Sequence, residues 1–154
     1  MFRSITAAAV LGLSIAAYAA DKPFDPARDS AKDLASAEQV AQREHKNILL
    51  DVGGNWCPWC ILLDRMLGAD AELHGLLEKN YVVVHVNFSQ ENENTAFLSG
   101  YPKAHGYPAW YVLSPEGKLL KAEDTSELEQ DHKLNAGYNR ETLKTFLVGN
   151  APKP

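Results

Sequence analysis

The chain has 154 residues, enough for one domain with its own core, and 45% of them are hydrophobic. Its formal net charge is -5, and no Lys/Arg stripe or cluster appears, which excludes a nucleic-acid-binding surface of the usual basic kind. With 2 cysteines and 5 scattered histidines there is neither a second thiol pair for a structural zinc site nor a histidine after Cys60 for haem attachment.

Arg3 supplies a short positive region, residues 5–20 are apolar and small, and Ala17-Tyr18-Ala19 fits a small-x-small cleavage site. This predicts a signal peptide over residues 1–20, cut near Ala19 or Ala20, and a periplasmic or secreted domain over 21–154. The competing reading is a membrane anchor, for which the run is short and alanine-rich. No cysteine follows the cleavage region to carry a lipid. The lead-in to Arg28 carries Pro23 and Pro26 and reads as extended. A capping pattern at Ser30-Ala31-Lys32-Asp33, then Leu34, Ala37, Val40 and Ala41 at helical spacing, predicts a first helix ending near Lys46.

Residues 47–52 (Asn-Ile-Leu-Leu-Asp-Val) read as a buried strand, and Gly53-Gly54-Asn55 as a turn. A second helix starts at Pro58, with Leu62, Leu63, Met66 and Leu67 as its buried stripe and Gly68 as its stop. Asp70 caps a further helical segment, and residues 81–88 form a β-branched second strand. After a polar loop at 90–94 and a short helix at 95–99, residues 109–113 and 118–122 pair as a hairpin across Pro115-Glu116-Gly117. Residues 123–137 read as a long polar loop whose acidic cluster is either a solvated face or a docking patch. Residues 140–148, with Leu143, Phe146 and Leu147 on one face, form the last helix. The order predicts an α/β fold: a mixed sheet of four to five strands with helices on both faces.

Between the first strand and the second helix stands Trp56-Cys57-Pro58-Trp59-Cys60. A disulfide across two residues restrains an unfolded chain little, so a structural staple is disfavoured and a redox-active dithiol favoured. Asp51 lies six positions before Cys57, Trp56 precedes it, and Gly106-Tyr107-Pro108 opens the third strand. On these residues the region from 48 to 146 resembles the thioredoxin-like superfamily, in its exported branch. The resemblance implies a thioredoxin fold, a thiol–disulfide oxidoreductase without an organic cofactor, a cis bond before Pro108, and Asp51 as the proton acceptor for the second thiol.

Cys57 at a helix start favours the thiolate and is the expected nucleophile; Cys60, one turn in and shielded, resolves the mixed disulfide. Asp51, among Leu49, Leu50 and Val52, should be desolvated with a raised pKa. Trp56, Tyr107 and Pro108 are expected to shape the substrate groove, with the backbone of Tyr107 free to pair with an extended substrate. Trp59 should join Tyr107 in a flat apolar docking surface. His85 stands where the family usually carries a lysine facing the acid; it either tunes Asp51 or is a satisfied core histidine. Nothing functional is read into Trp110. The expected partners are protein thiols and disulfides and a membrane-linked redox partner, the expected state is a monomer, and a reductase is favoured over an oxidase because the chain lacks room for an inserted helical or a dimerisation domain. The alternatives are a two-thiolate Cu(I) site and a redox-independent interaction module.

Overall fold

The structure is a computed structural model that describes residues 22–130 and 137–153. The leader expected at 1–20 and part of the acidic loop, 131–136, lie outside the described residues. No helix among the described residues is long and apolar enough to cross a membrane.

Helix α1 (Ser30–Glu44) leads into strand β1 (Asn47–Gly53), then α2 (Pro58–Ala69), α3 (Ala71–Asn80) and β2 (Tyr81–Asn87). A single turn, α4 (Thr95–Leu98), precedes the hairpin β3 (Ala109–Leu113) and β4 (Leu119–Asp124), a 3-10 turn (Thr125–Leu128) and α5 (Arg140–Gly149). The sheet has four strands in the order β2-β1-β3-β4; β1 and β2 run parallel, and β3 is antiparallel to both β1 and β4. This is the expected mixed α/β architecture. In the hairpin, Gly117 takes a φ of 79°, a conformation that costs glycine little.

β1 is buried along its whole length, and its alternation sorts side chains between two cores. Ile48, Leu50 and Val52 join Val84, Val86, Tyr111 and Leu113 beneath Ala37 and Ala41 of α1. Leu49 points the other way, with Trp110 and Val112, under Leu63 and Leu67 of α2, Leu73 of α3, and Leu143, Phe146 and Leu147 of α5. Asp51 shares the parity of Leu49 and so faces the α2 side.

Four local expectations change. The first helix is capped by Asp29, whose carboxylate accepts from the N–H groups of Ala31 and Lys32, so Ser30 is its first helical residue and not its cap. Helix α2 runs through Gly68 to Ala69, because Asp70 caps α3 directly behind it. Leu62 is exposed; the buried face of α2 follows Cys60, Leu63 and Leu67. The polar loop begins as structure: β4 extends to Asp124 and the 3-10 turn follows, with Thr125 and Leu128 buried.

Candidate active site

β1 delivers the chain to the dithiol through Gly53, where any side chain is sterically excluded. A Cβ there would lie 2.6 Å from the Cys60 sulfur and 3.1 Å from the Phe24 ring. The turn closes with the Cys57 N–H donating to the Gly54 carbonyl at 3.0 Å. Cys57 and Cys60 form a disulfide with Cα atoms 5.3 Å apart. Cys57 is the N-cap of α2, Pro58 occupies the first turn, and the Cys60 N–H donates to the Cys57 sulfur at 3.2 Å. A thiolate at this position would meet an unpaired backbone donor and the positive end of the helix dipole. Both cysteines are buried in the disulfide form, Cys57 at 3% and Cys60 at 0% exposure. Cys57 is thus covered in this form. Its cover is the loop before β3, whose Tyr107 carbonyl oxygen lies 3.5 Å from the Cys57 sulfur.

The acid sits in a row set by strand register. Asp51 of β1 pairs laterally with His85 of β2 and with Trp110 of β3. Trp110 Nε1 donates to Asp51 Oδ1 at 3.1 Å, and His85 Nε2 lies 3.6 Å from Asp51 Oδ2. Burial pushes the Asp51 carboxyl up to about 6, against the opposing pull of His85 and the Trp110 hydrogen bond. The same His85 Nε2 lies 3.6 Å from Oδ1 of Asp64, one turn beyond Cys60 on α2. Burial lowers the His85 pKa, but the two nearby carboxylates, Asp64 and Asp51, outweigh it, leaving a net upward shift.

The aromatic residues divide around the dithiol. Trp56 is 56% exposed, its indole N–H donates to the Phe88 carbonyl, and its ring meets Tyr107 edge-on at 6.0 Å. Tyr107 stacks on Phe88 at 4.7 Å. Trp59 differs from expectation: it is half-buried and meets Tyr138 edge-on at 5.4 Å, so the exposed ring beside Tyr107 is that of Trp56. The Tyr107–Pro108 bond is cis, and the Thr125 hydroxyl donates to the Pro108 carbonyl at 2.5 Å.

Four contributors escaped sequence reading. Trp110 carries the parity signal of β3, opposite to Tyr111, but its register against Asp51 becomes visible only once the strands are paired. Asp64 is signalled by its spacing of four from Cys60. Thr125 gives no signal beyond its place in a polar stretch. Phe24, an aromatic between two prolines, is fully buried against Cys57 and Cys60 and meets His85 edge-on at 5.3 Å. Asn55 holds its backbone from both sides, accepting from the Phe24 N–H at 3.3 Å and donating to its carbonyl at 2.5 Å.

A four-stranded mixed sheet with a dithiol at a helix start behind its central strand defines a thioredoxin fold. Residues 29–115 match the thioredoxin-like family model, and the chain belongs to that family. It is 26% identical over 107 residues to a protein described as disulfide bond reductase DsbH of Chlamydia pneumoniae, covering 64% of each chain; it thus spans less than two thirds of that relative's length. Among solved structures, it resembles one described as a disulphide isomerase of Xylella fastidiosa Temecula1, with a TM-score of 0.71 and 26% identity, covering 85% of this chain and 98% of the other. The oxidised C-terminal domain of DsbD from Neisseria meningitidis shares the fold at a TM-score of 0.50 and 17% identity, covering 79% of this chain and 96% of the other.

Proposed function

We propose that this protein is an exported thiol–disulfide oxidoreductase acting on protein disulfides, chiefly as a reductase. The observation that carries the reading is the asymmetry of the dithiol: Cys57 caps α2 and takes a backbone donor at its sulfur, while Cys60 lies one turn inside the helix. Cys57 thiolate attacks a substrate disulfide, and one substrate sulfur leaves as thiolate. Cys60 gives its proton to Asp51 and attacks the Cys57 sulfur, which closes the Cys57–Cys60 bond and releases the second substrate thiolate. Trp56, Tyr107 and Pro108 form the groove that receives the substrate backbone beside Cys57, and Trp59 supports the dithiol loop from the Tyr138 side.

Two features favour the reductive direction. The dithiol loop carries Trp59 and no cation that would further stabilise the thiolate, and a relative is described as a reductase. The leader-like residues 1–20 support export, in which case a membrane-linked partner supplies electrons. Isomerisation would use the same first attack and differ only in whether substrate departs before Cys60 closes. A Cu(I) role would rest on the two sulfurs alone: among the described residues no group of three or more His, Cys, Asp or Glu side chains is placed to hold a metal.

The test is equilibration of the Cys57–Cys60 pair with glutathione, together with turnover of a protein disulfide. A potential towards about −270 mV and loss of turnover in Cys57→Ser are expected; a potential towards about −120 mV would reject the reductase.

A further inference from the structure

Asp51 is buried beside the sheet, so a proton it takes from Cys60 returns to that sulfur before the ring closes unless it has a way out. A cavity of about 240 Å³ reaches it, lined by Asp51, Asp64, His74, His85 and Trp110 among others. Exposure rises along this cavity: the side chain is 7% exposed at Asp51, 30% at His85 and 37% at Asp64. One nitrogen, His85 Nε2, stands 3.6 Å from each carboxylate, and a movement of roughly half an ångström brings either within hydrogen-bond range. Phe24 packs edge-on against the imidazole.

We propose that His85 and Asp64 form the proton exit of the site, carrying the proton of Asp51 to solvent through Nε2. The inference rests on the reading of Asp51 as the base for Cys60. The balance is simple. Asp51 holds the Cys60 proton as a carboxylic acid and passes it to Nε2 of neutral His85. The imidazolium then passes it to the Asp64 carboxylate, which releases it to water, and no electrons move. The groups facing His85 are Asp51 from β1, Asp64 from α2 and Arg28 from the lead-in, and His74 of α3 lines the same cavity. His85 and Asp64 are positioning and relay groups; neither touches the substrate.

The test uses the reduced protein, rapidly mixed with a symmetric aromatic disulfide whose halves absorb when released. The first half reports attack by Cys57, the second closure by Cys60. His85→Gln and Asp64→Asn should leave the first phase unchanged and slow the second roughly tenfold, and Asp64→Glu should restore it. In the parent protein the second phase should fall on acidification as the imidazole fills and cannot accept; in His85→Gln only the fall set by protonation of Asp51, at about 6, should remain. If Asp51→Asn slows the second phase while His85→Gln and Asp64→Asn do not, the exit is wrong and the base stands. If Asp51→Asn leaves the second phase unchanged, the base itself is wrong. Equal slowing of both phases, or no restoration by Asp64→Glu, also contradicts the exit.

Discussion

A carboxylate facing a core of leucines and a tryptophan is unstable in its charged form, and Asp51 keeps one oxygen on the Trp110 indole and the other towards His85. Its pKa rises from the ordinary ~3.9 to about 6, so the folded state binds this proton more tightly than the unfolded chain does. Stability contributed by the protonated acid is therefore present at low pH and is lost as pH rises from about 4 to about 6, reaching a constant cost of roughly 3 kcal/mol above that. Replacing Asp51 by Asn keeps the Trp110 bond and removes the charge. Chemical denaturation of oxidised Asp51→Asn should show a gain of about 2–3 kcal/mol at pH 8 that vanishes near pH 4. A gain independent of pH would mean that the acid is not the source. Under the proposed mechanism the same substitution should impair closure by Cys60, a gain in stability set against a loss of activity.

At the scale of elements, the dithiol is held from behind by two tight contacts. Gly53 leaves no room for a side chain against Cys60, and Phe24 fills the adjoining space. Gly53→Ala should destabilise the oxidised protein by about 1–3 kcal/mol through overpacking. Phe24→Ala should cost about 3 kcal/mol or more through the cavity it leaves. Thermal and denaturant unfolding check both, and near-neutral values would show that the lead-in merely drapes over the site.

The elements themselves were largely legible, because β1 is a continuous apolar run and α1 and α5 show helical periodicity. The Cys57–Cys60 pair was legible from its spacing. The Asp51–Trp110 bond was not, since it depends on the antiparallel register of β3 against β1, and no local pattern specifies a register between strands so far apart in sequence. The lead-in reads as extended, and the place of Phe24 is not legible in it for a similar reason: its partners at Asn55, Cys57 and Cys60 are remote. The span of 123–130 read as loop by its polarity, yet Thr125 and Leu128 are the residues that anchor it.

For the whole molecule, topology explains why these parts meet. β1 and β2 are parallel, so their carboxyl ends carry Asp51, Gly53 and His85 to one end of the sheet. β3 is antiparallel, so its start, with Pro108 just ahead of Ala109, arrives at that same end. Helix α2 begins there and points its N-terminus at the Cys57 sulfur. In this acidic molecule Cys57 stands at the start of α2 and Cys60 one turn inside it. Substrate turnover should therefore collapse in Cys57→Ser, whereas Cys60→Ser should accumulate a mixed disulfide with substrate, as mass spectrometry of the trapped species would show.

The most direct measurement is the pH dependence of alkylation of each thiol in the reduced protein, with the two sulfurs scored separately by mass spectrometry. Cys57 should react as a thiolate at a pH moderately below the ~8.5 of a free cysteine, while Cys60 stays protected. Equal, slow labelling of both sulfurs with an unshifted pH profile would contradict it.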